Sequence, residues 1–194
     1  LKTILLENFT IINEIYQKSI IIKEDTYITI PQYEGICWFI SFLTGLTYSD
    51  RNKALLNKKK EELAEIITSE HGKVLSDALG EITRGQEVVE FAVGIPHLMK
   101  GFYSEQVSTG VDVYSTRQPL GVVGVISPFN FPAMVPNWTI PNAIALGNCM
   151  IIKPSEKVPL TLTRIASLLK EAGLPDGVFN IVNGDSEIVN AICA

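Results

Sequence analysis

Three short segments rich in β-branched residues, separated by two helical patterns, constrain the fold of this chain more than any other feature. VVGVIS begins at Val122, CMIIK at Cys149 and GVFNIV at Gly177. A helical pattern from about Ala133 to Leu146 fills the first gap, and LTLTRIASLLKEAG fills the second. Strands that alternate with helices form a parallel sheet, and continuously apolar strands indicate that both of its faces are covered. The predicted fold class is therefore α/β, with three buried strands in a Rossmann-like parallel βαβαβ half.

Two further helical patterns precede this unit. The first runs through NKALLNKKKEELAEIITSEHGK and places five apolar residues on one helical face: Leu55, Leu56, Leu63, Ile66 and Ile67. The second predicts one long helix from about Val74 to Met99, and VDVYSTRQPLG then alternates as an extended strand does. We therefore divide the chain into an irregular segment (1–50), a helical lead-in with an extended strand (51–120) and the βαβαβ half (121–194).

Composition argues against several classes of partner. The net charge of −5 does not suit a nucleic-acid-binding protein, because phosphate binding requires clustered Lys and Arg. The apolar run GICWFISFLTGL is shorter than the about 20 residues that a bilayer-spanning helix needs. Three widely separated cysteines without C-x-x-C spacing predict neither a zinc site nor a disulfide framework. We expect a soluble protein that binds no nucleic acid, membrane or metal.

Polar residues follow each predicted strand at the position where parallel sheets bind ligands, beyond the carboxyl ends. In KPSEK, Lys153 and Glu156 can both point over the end of the second strand. A carboxylate there accepts hydrogen bonds from ribose hydroxyls and repels a 2′-phosphate. An equally acceptable interpretation is a surface turn whose acid complements the dipole of the following helix. Because the G-x-G-x-x-G fingerprint is absent, these residues alone leave both interpretations open.

The stretch SPFNFP, which follows the first strand, fixes an amide between two aromatic rings. Pro128 and Pro132 restrict the backbone on either side of Asn130. A side-chain amide held in a defined direction is a neutral donor that can meet a developing oxyanion. The alternative is that Asn130 caps the following helix. The residues by themselves favour the cap.

The segment GVVGVISPFNFPAMVPNWTIPNAIALGNCMIIKPSEKVPLT resembles the aldehyde dehydrogenase superfamily, above all in PFNFP, ALGN and KPSE. PFNFPAMVP, KPSEKVP and the upstream GEITRGQEVVEFAVG are most similar to its CoA-acylating methylmalonate-semialdehyde branch. The resemblance extends from about Glu61 to Ala194 and does not include residues 1–50. It implies a partial aldehyde dehydrogenase fold, in which helices precede the Rossmann-like half.

The resemblance also implies roles for individual residues. Asn130 matches the asparagine whose amide helps to form the oxyanion hole. Arg84, in GEITRG, matches an arginine associated with the carboxylate of an acidic semialdehyde, although it could also be an ordinary helix-surface arginine. Lys153 and Glu156 match the contacts to the adenosine ribose. The complete set of implied NAD-binding positions comprises Ser127, Phe129, Lys153, Glu156 and Lys157.

In the family's reaction, a cysteine thiolate attacks the aldehyde, hydride passes to NAD, and the thioester is transferred to CoA in place of water. The implied substrates are methylmalonate and malonate semialdehyde, which lose carbon dioxide and yield propionyl-CoA and acetyl-CoA. None of Cys37, Cys149 and Cys193 matches the nucleophile. That cysteine is therefore expected beyond Ala194, and the chain alone is expected to be inactive.

Two alternatives to this activity stay open. The chain could belong to a hydrolytic NAD-dependent aldehyde dehydrogenase, or it could be a non-catalytic, truncated remnant. The family also implies a homo-oligomer, dimer or tetramer, because VDVYSTRQ matches a strand of the subunit-association region. The family works in the bacterial cytoplasm and in the mitochondrial matrix, and the sequence favours neither compartment.

Overall fold

The computed structural model describes residues 51–194. The irregular segment expected over residues 1–50, with Cys37, lies outside the described residues. The described part begins in helix over residues 51–58, and after a turn at Lys59 helix α1 follows. The elements in chain order are α1 (Lys60–His71), α2 (Leu75–Val93), α3 (Ile95–Leu98), β1 (Tyr103–Ser108), β2 (Val111–Tyr114), β3 (Val122–Ile126), α4 (Met134–Ala145), β4 (Cys149–Lys153), α5 (Leu160–Glu171), β5 (Phe179–Ile181) and α6 (Ser186–Cys193).

Strands β3, β4 and β5 form a parallel sheet in that order, joined by helices α4 and α5. The register pairs Val122 with Cys149 at one end of β3 and Ile126 with Lys153 at the other. The predicted α/β class, with a parallel βαβαβ unit preceded by helices, is confirmed. The central strand is the best buried of the three, since Met150 and Ile152 are fully shielded from solvent.

The prediction that all three strands are buried is wrong for β3. Val122 is 55% exposed and Ile126 is 43% exposed. Within residues 51–194, β3 pairs with β4 alone, so one of its edges carries no neighbouring strand. Residue type indicated a strand that could be buried, but the burial of a strand depends on which elements lie beside it.

The lead-in helices pack on the βαβαβ unit through apolar faces. Helix α1 buries Leu63, Ala64 and Ile67, and it contacts both α2 and α5. Helices α2 and α4 approach closely at Gly85, where an added Cβ would lie 3.1 Å from Asn137 Nδ2. The absence of a side chain therefore sets the distance between the two helices that lie beside the SPFNFP stretch.

The single long helix predicted from Val74 to Met99 is wrong. Helix α2 ends at Val93, and the short helix α3 begins at Ile95 after a turn at Gly94. The backbone N–H of Gly94 donates to Phe91 O, three residues back, which tightens the last turn. Pro96 has no N–H to continue the α-helical ladder, and this, together with the glycine, ends α2.

The extended segment VDVYSTRQPLG forms a strand only over Val111–Tyr114, and its partner β1 was not anticipated. The two strands are antiparallel, and all their residues are exposed. Asp112 accepts hydrogen bonds from the Gln106 N–H and the Tyr103 hydroxyl, each at 2.8 Å. The bond from the Gln106 N–H, followed by that from the Tyr103 hydroxyl, lowers the pKa of the Asp112 carboxyl. The bond from the Gln106 N–H accompanies a left-handed backbone conformation at Gln106, with a φ of 48°. Nothing in the sequence predicts this conformation.

One ion pair between α1 and α5 makes the stability of the fold depend on pH. Arg164 Nε donates to Glu62 Oε1 at 2.5 Å, and Lys59 Nζ lies 2.9 Å from Glu62 Oε2. The bond from Arg164, followed by that from Lys59, lowers the pKa of Glu62 from 4.5 to about 2. Because this pKa is lowered on folding, the pair stabilises the protein above pH 4.5, and the contribution is lost as the pH falls towards about 2.

We predict that Arg164→Met lowers Tm at neutral pH and that the difference from the unchanged protein shrinks as the pH falls towards about 2. Thermal unfolding followed by circular dichroism at several pH values measures this. The control is Lys170→Met on the same helix, because Lys170 and its partner Asp176 are both largely exposed. A loss of Tm that is the same at every pH would show that Arg164 acts through packing and not through the ion pair.

Candidate active site

The ends of strands β3 and β4 meet at one edge of the sheet. The Ser127 N–H donates to Lys153 O at 3.0 Å, and the Ser127 hydroxyl lies 3.5 Å from the same oxygen. Ser127 is 5% exposed, and Lys153 is 4% exposed. Two of the predicted NAD-binding residues are therefore adjacent, as expected for polar residues at the carboxyl ends of neighbouring parallel strands.

Lys153 and Glu156 form an ion pair over the end of β4. Lys153 Nζ lies 2.8 Å from Glu156 Oε2, and while the Lys153 side chain is buried, that of Glu156 is about half exposed. The bond from Lys153, and then the backbone N–H of Glu156 itself, lower the pKa of the Glu156 carboxyl. The site consequently presents an ionised carboxylate to solvent, and a buried ammonium fixes its direction.

The alternative interpretation of Glu156, as the acid that complements the next helix, does not fit the structure. The N-cap position of α5 is Pro159, which has no capping side chain. The first N–H groups of α5 donate to Glu70 of α1, from Leu160 at 2.9 and 3.1 Å and from Thr161 at 3.4 Å. Glu70 thus occupies the N-terminus of α5, whereas the Glu156 side chain is paired with Lys153.

Phe129 links the SPFNFP stretch to the turn after β4. Its ring is 49% exposed and lies 5.0 Å from Lys157 Nζ, in a cation–π contact. The His71 ring also stacks on it, with centroids 6.2 Å apart and planes 21° apart. The predicted NAD-binding residues Phe129 and Lys157 are therefore in contact. His71, at the end of α1, is an addition that its sequence position did not suggest.

Asn130 lies exposed between these contacts and helix α4. It does not cap α4. The N-cap position is Ala133, and the N–H groups of Ala133 and Met134 donate to Glu81 Oε1 at 2.8 and 3.1 Å. Among residues 51–194, the Asn130 side chain makes no hydrogen bond, so its amide group is available as a donor. The residues alone favoured the cap, and the structure assigns that role to Glu81.

Arg84 lies exposed on α2, one turn after Glu81. Across the described range, no hydrogen bond or ion pair joins Arg84 to the six residues predicted around the strand ends. The structure therefore brings together Ser127, Phe129, Lys153, Glu156 and Lys157, with Asn130 on the same loop, and leaves Arg84 apart from their contacts.

Sequence reasoning missed Glu81 and Lys73. Glu81 is fully buried, and its Oε2 lies 2.6 Å from Lys73 Nζ. Lys73 Nζ also donates to the backbone oxygen of Asn130 at 2.9 Å and lies 4.4 Å from the centroid of the Phe131 ring. A signal was present, because Glu81 falls between Ala78 and Ile82 on the buried face of α2, where an acid needs a partner.

Comparison with known proteins places this arrangement in a family. The sequence pattern of the aldehyde dehydrogenase family matches residues 48–194. The chain is 54% identical to malonate-semialdehyde dehydrogenase 1 of Shouchella clausii (strain KSM-K16), over 71% of this chain and 28% of that protein. It is 52% identical to a mitochondrial protein of Dictyostelium discoideum, named as a probable acylating methylmalonate-semialdehyde/malonate-semialdehyde dehydrogenase, over 73% of this chain and 27% of that one.

A solved structure agrees. The chain superposes with a TM-score of 0.78 on a protein of Sinorhizobium meliloti 1021, assigned as a methylmalonate-semialdehyde dehydrogenase and complexed with NAD. The two are 46% identical, and the match covers 81% of this chain and 32% of that one. Because the family pattern extends over most of the sequence and the fold agrees, the chain belongs to the aldehyde dehydrogenase family.

The chain spans about 28% of the length of the curated relatives that it matches. Among the described residues, no helix is both long and apolar enough to cross a membrane.

Proposed function

We propose that this chain supplies the oxyanion amide and the adenosine-binding part of an NAD-dependent, CoA-acylating semialdehyde dehydrogenase. The observation that carries the proposal is the position of Asn130. Its amide is exposed and makes no hydrogen bond within residues 51–194, at the same sheet edge as the Lys153–Glu156 pair. A neutral donor and a ribose-binding pair at the carboxyl end of a parallel sheet suit a dehydrogenase that oxidises an aldehyde.

The residues at the ends of β3 and β4 fit the adenosine half of NAD. The Glu156 carboxylate, ionised and half exposed, can accept hydrogen bonds from both hydroxyls of a ribose. Buried Lys153 holds that carboxylate in place and has donors that can reach the same hydroxyls. A 2′-phosphate would meet the negative charge of Glu156, which favours NAD over NADP. When bound, NAD supplies the acceptor for the hydride that leaves the substrate.

Asn130 has the chemistry to stabilise a tetrahedral intermediate. When a thiolate adds to an aldehyde, negative charge develops on the former carbonyl oxygen. The Asn130 Nδ2 group can donate to that oxygen without carrying a charge of its own, and the neighbouring rings of Phe129 and Phe131 reduce the access of water. We propose that the attacking cysteine belongs to another part of the same enzyme, because no cysteine of this chain matches it.

The substrate that we propose is methylmalonate or malonate semialdehyde, with CoA as the acyl acceptor. The relatives at 52–54% identity carry the names of these activities, and one is named as acylating. The substrates are carboxylates, and Arg84 is an exposed cation without an ion-pair partner among residues 51–194. Product analysis with CoA present distinguishes the two acceptors, because acyl-CoA indicates transfer to CoA and the free carboxylic acid indicates transfer to water.

We also propose a homo-oligomer that forms through the β1–β2 hairpin. Tyr103, Val107, Val113 and Tyr114 are each more than half exposed on this hairpin. Exposed apolar side chains on a two-stranded sheet suit an interface.

We predict that the 194-residue chain binds NAD saturably and that Glu156→Ala weakens this binding by about 10- to 100-fold. The physical reason is the loss of hydrogen bonds to a charged group, each worth about 1.5–3 kcal/mol. Isothermal titration calorimetry measures the change. The matched control is Glu171→Ala, an exposed acid at the end of α5. An unchanged Kd in Glu156→Ala would remove Glu156 from the site.

In the enzyme that contains this chain together with a nucleophilic cysteine, we predict that Asn130→Ala lowers kcat by about 10²–10³. KM should change little, because the lost bond forms mainly in the transition state. Steady-state kinetics measure both constants. Asn190→Ala, at an exposed position of α6, is the control. A kcat equal to that of the unchanged enzyme would show that Asn130 is not an oxyanion donor.

We predict that Arg84→Gln lowers kcat/KM for malonate semialdehyde by about 10- to 100-fold, the range expected for one lost charge-assisted bond. The same variant should oxidise propanal, which has three carbons and no carboxylate, at the unchanged rate. The ratio of the two kcat/KM values is therefore the measurement. Equal losses for both aldehydes would mean that Arg84 does not recognise the carboxylate.

A further inference from the structure

A buried carboxylate, that of Glu81 on helix α2, links the start of helix α4 to the connection between α1 and α2. Glu81 is fully buried, and both of its carboxylate oxygens accept hydrogen bonds. Oε1 accepts from the N–H groups of Ala133 and Met134, and Oε2 accepts from Lys73 Nζ at 2.6 Å. A buried carboxylate with these partners is fixed in place, because any movement would leave buried polar groups without hydrogen bonds.

Lys73 extends this network to the loop that carries Asn130. Its ammonium is largely buried and donates both to Glu81 and to the backbone oxygen of Asn130, at 2.9 Å. The same ammonium lies over the ring of Phe131. Lys73 follows Gly72, whose φ of 82° ends helix α1 and turns the chain towards α2. The ammonium is thus directed at the middle of the SPFNFP stretch from the short connection between two helices.

The loop has an attachment at each end and one at its centre. At the first end Ser127 is held on β4 through Lys153 O, and at the other end Ala133 is held by Glu81. Among residues 51–194, the bond from Lys73 is the only hydrogen bond that reaches Asn130. The direction of the Asn130 amide depends on its backbone, so this bond constrains the direction in which the side chain can donate.

We infer that Lys73 and Glu81 are positioning residues that orient the Asn130 amide towards the oxyanion. This inference rests on the proposed function of Asn130. Neither residue needs to touch the substrate: Glu81 fixes the ammonium of Lys73, and Lys73 fixes the carbonyl of Asn130. A misplacement of about 1 Å in a reacting geometry can lower a rate by about 10²-fold, so the loss of Lys73 should lower kcat by about 10- to 100-fold.

The first test uses the 194-residue chain and needs no activity. In ¹⁵N NMR, Lys73→Met should leave the amide signals of β4 and α5 unchanged. The backbone amide signals of Asn130 and Phe131, on either side of the carbonyl that Lys73 holds, should move towards the values of an unstructured chain, with a lower heteronuclear NOE. Lys73→Arg, which retains the charge and the donors, should restore the signals at least in part.

The matched control for this experiment is Lys53→Met. Lys53 forms a surface ion pair with Glu90 and makes no contact with the loop among the described residues. It should leave the Asn130 signals unchanged. Asn130 signals in Lys73→Met that equal those of the unchanged chain would overturn the inference. Glu81→Gln provides a second variant, since a Gln amide cannot hold the ammonium of Lys73 as a carboxylate does.

The second test is a double-mutant cycle on kcat in the enzyme that contains this chain. If Lys73 acts through Asn130, Lys73→Met lowers kcat about 10- to 100-fold when Asn130 is present, and less than about twofold in the Asn130→Ala background. KM for NAD should not change. An equal loss in both backgrounds overturns the inference and leaves the oxyanion proposal intact. No loss from Asn130→Ala alone overturns the proposed function, and with it the inference, even where NMR confirms the bond.

Discussion

Carboxylates from the lead-in helices hold the N-termini of both crossover helices, and the geometry of the site depends on this arrangement. Each helix begins with N–H groups that have no partner inside the helix. The N-cap residues of α4 and α5, Ala133 and Pro159, cannot satisfy them. Glu81 and Glu70, 52 and 90 residues earlier in the chain than their first partners, do so instead. Two distant carboxylates therefore replace the two local caps that a sequence would ordinarily contain.

Because of this replacement, the loops after β3 and β4 do not have to cap helices α4 and α5. Asn130 and Glu156 lie three residues before the N-cap positions of α4 and α5, and both are residue types that can satisfy helix N-termini. Because Glu81 and Glu70 already occupy those N-termini, the amide of Asn130 and the carboxylate of Glu156 remain directed outwards. Their availability for a ligand is thus a consequence of how α1 and α2 pack on the βαβαβ unit, and it follows from the side chains of helices that do not themselves line the sheet edge.

The parallel unit could be predicted from the sequence because its signals are local. β-branched runs, helical periodicity and terminal glycines each act over a few residues, and the order of strands and helices follows from them. The same reasoning failed for β3 burial and for the end of α2 at Gly94. Burial is a property of neighbours that periodicity does not contain, and apolar positions continued in phase beyond Gly94 and so concealed the break. Strand β1 was missed because its exposed residues carry no pattern.

The site shows the same division between local and long-range signals. The convergence of Ser127 with Lys153 could be predicted, since it follows from the topology of a parallel sheet. Whether Asn130 and Glu156 serve the N-termini of α4 and α5 could not be predicted, because a distant glutamate occupies each of those N-termini. A buried acid within an apolar helix face, such as Glu81, indicates that some buried group requires its charge, but not which group. The helical lead-in and the βαβαβ unit can be told apart as sequence patterns. The hydrogen bonds of Glu81 nevertheless join them, so the orientation of the Asn130 loop depends on residues of both.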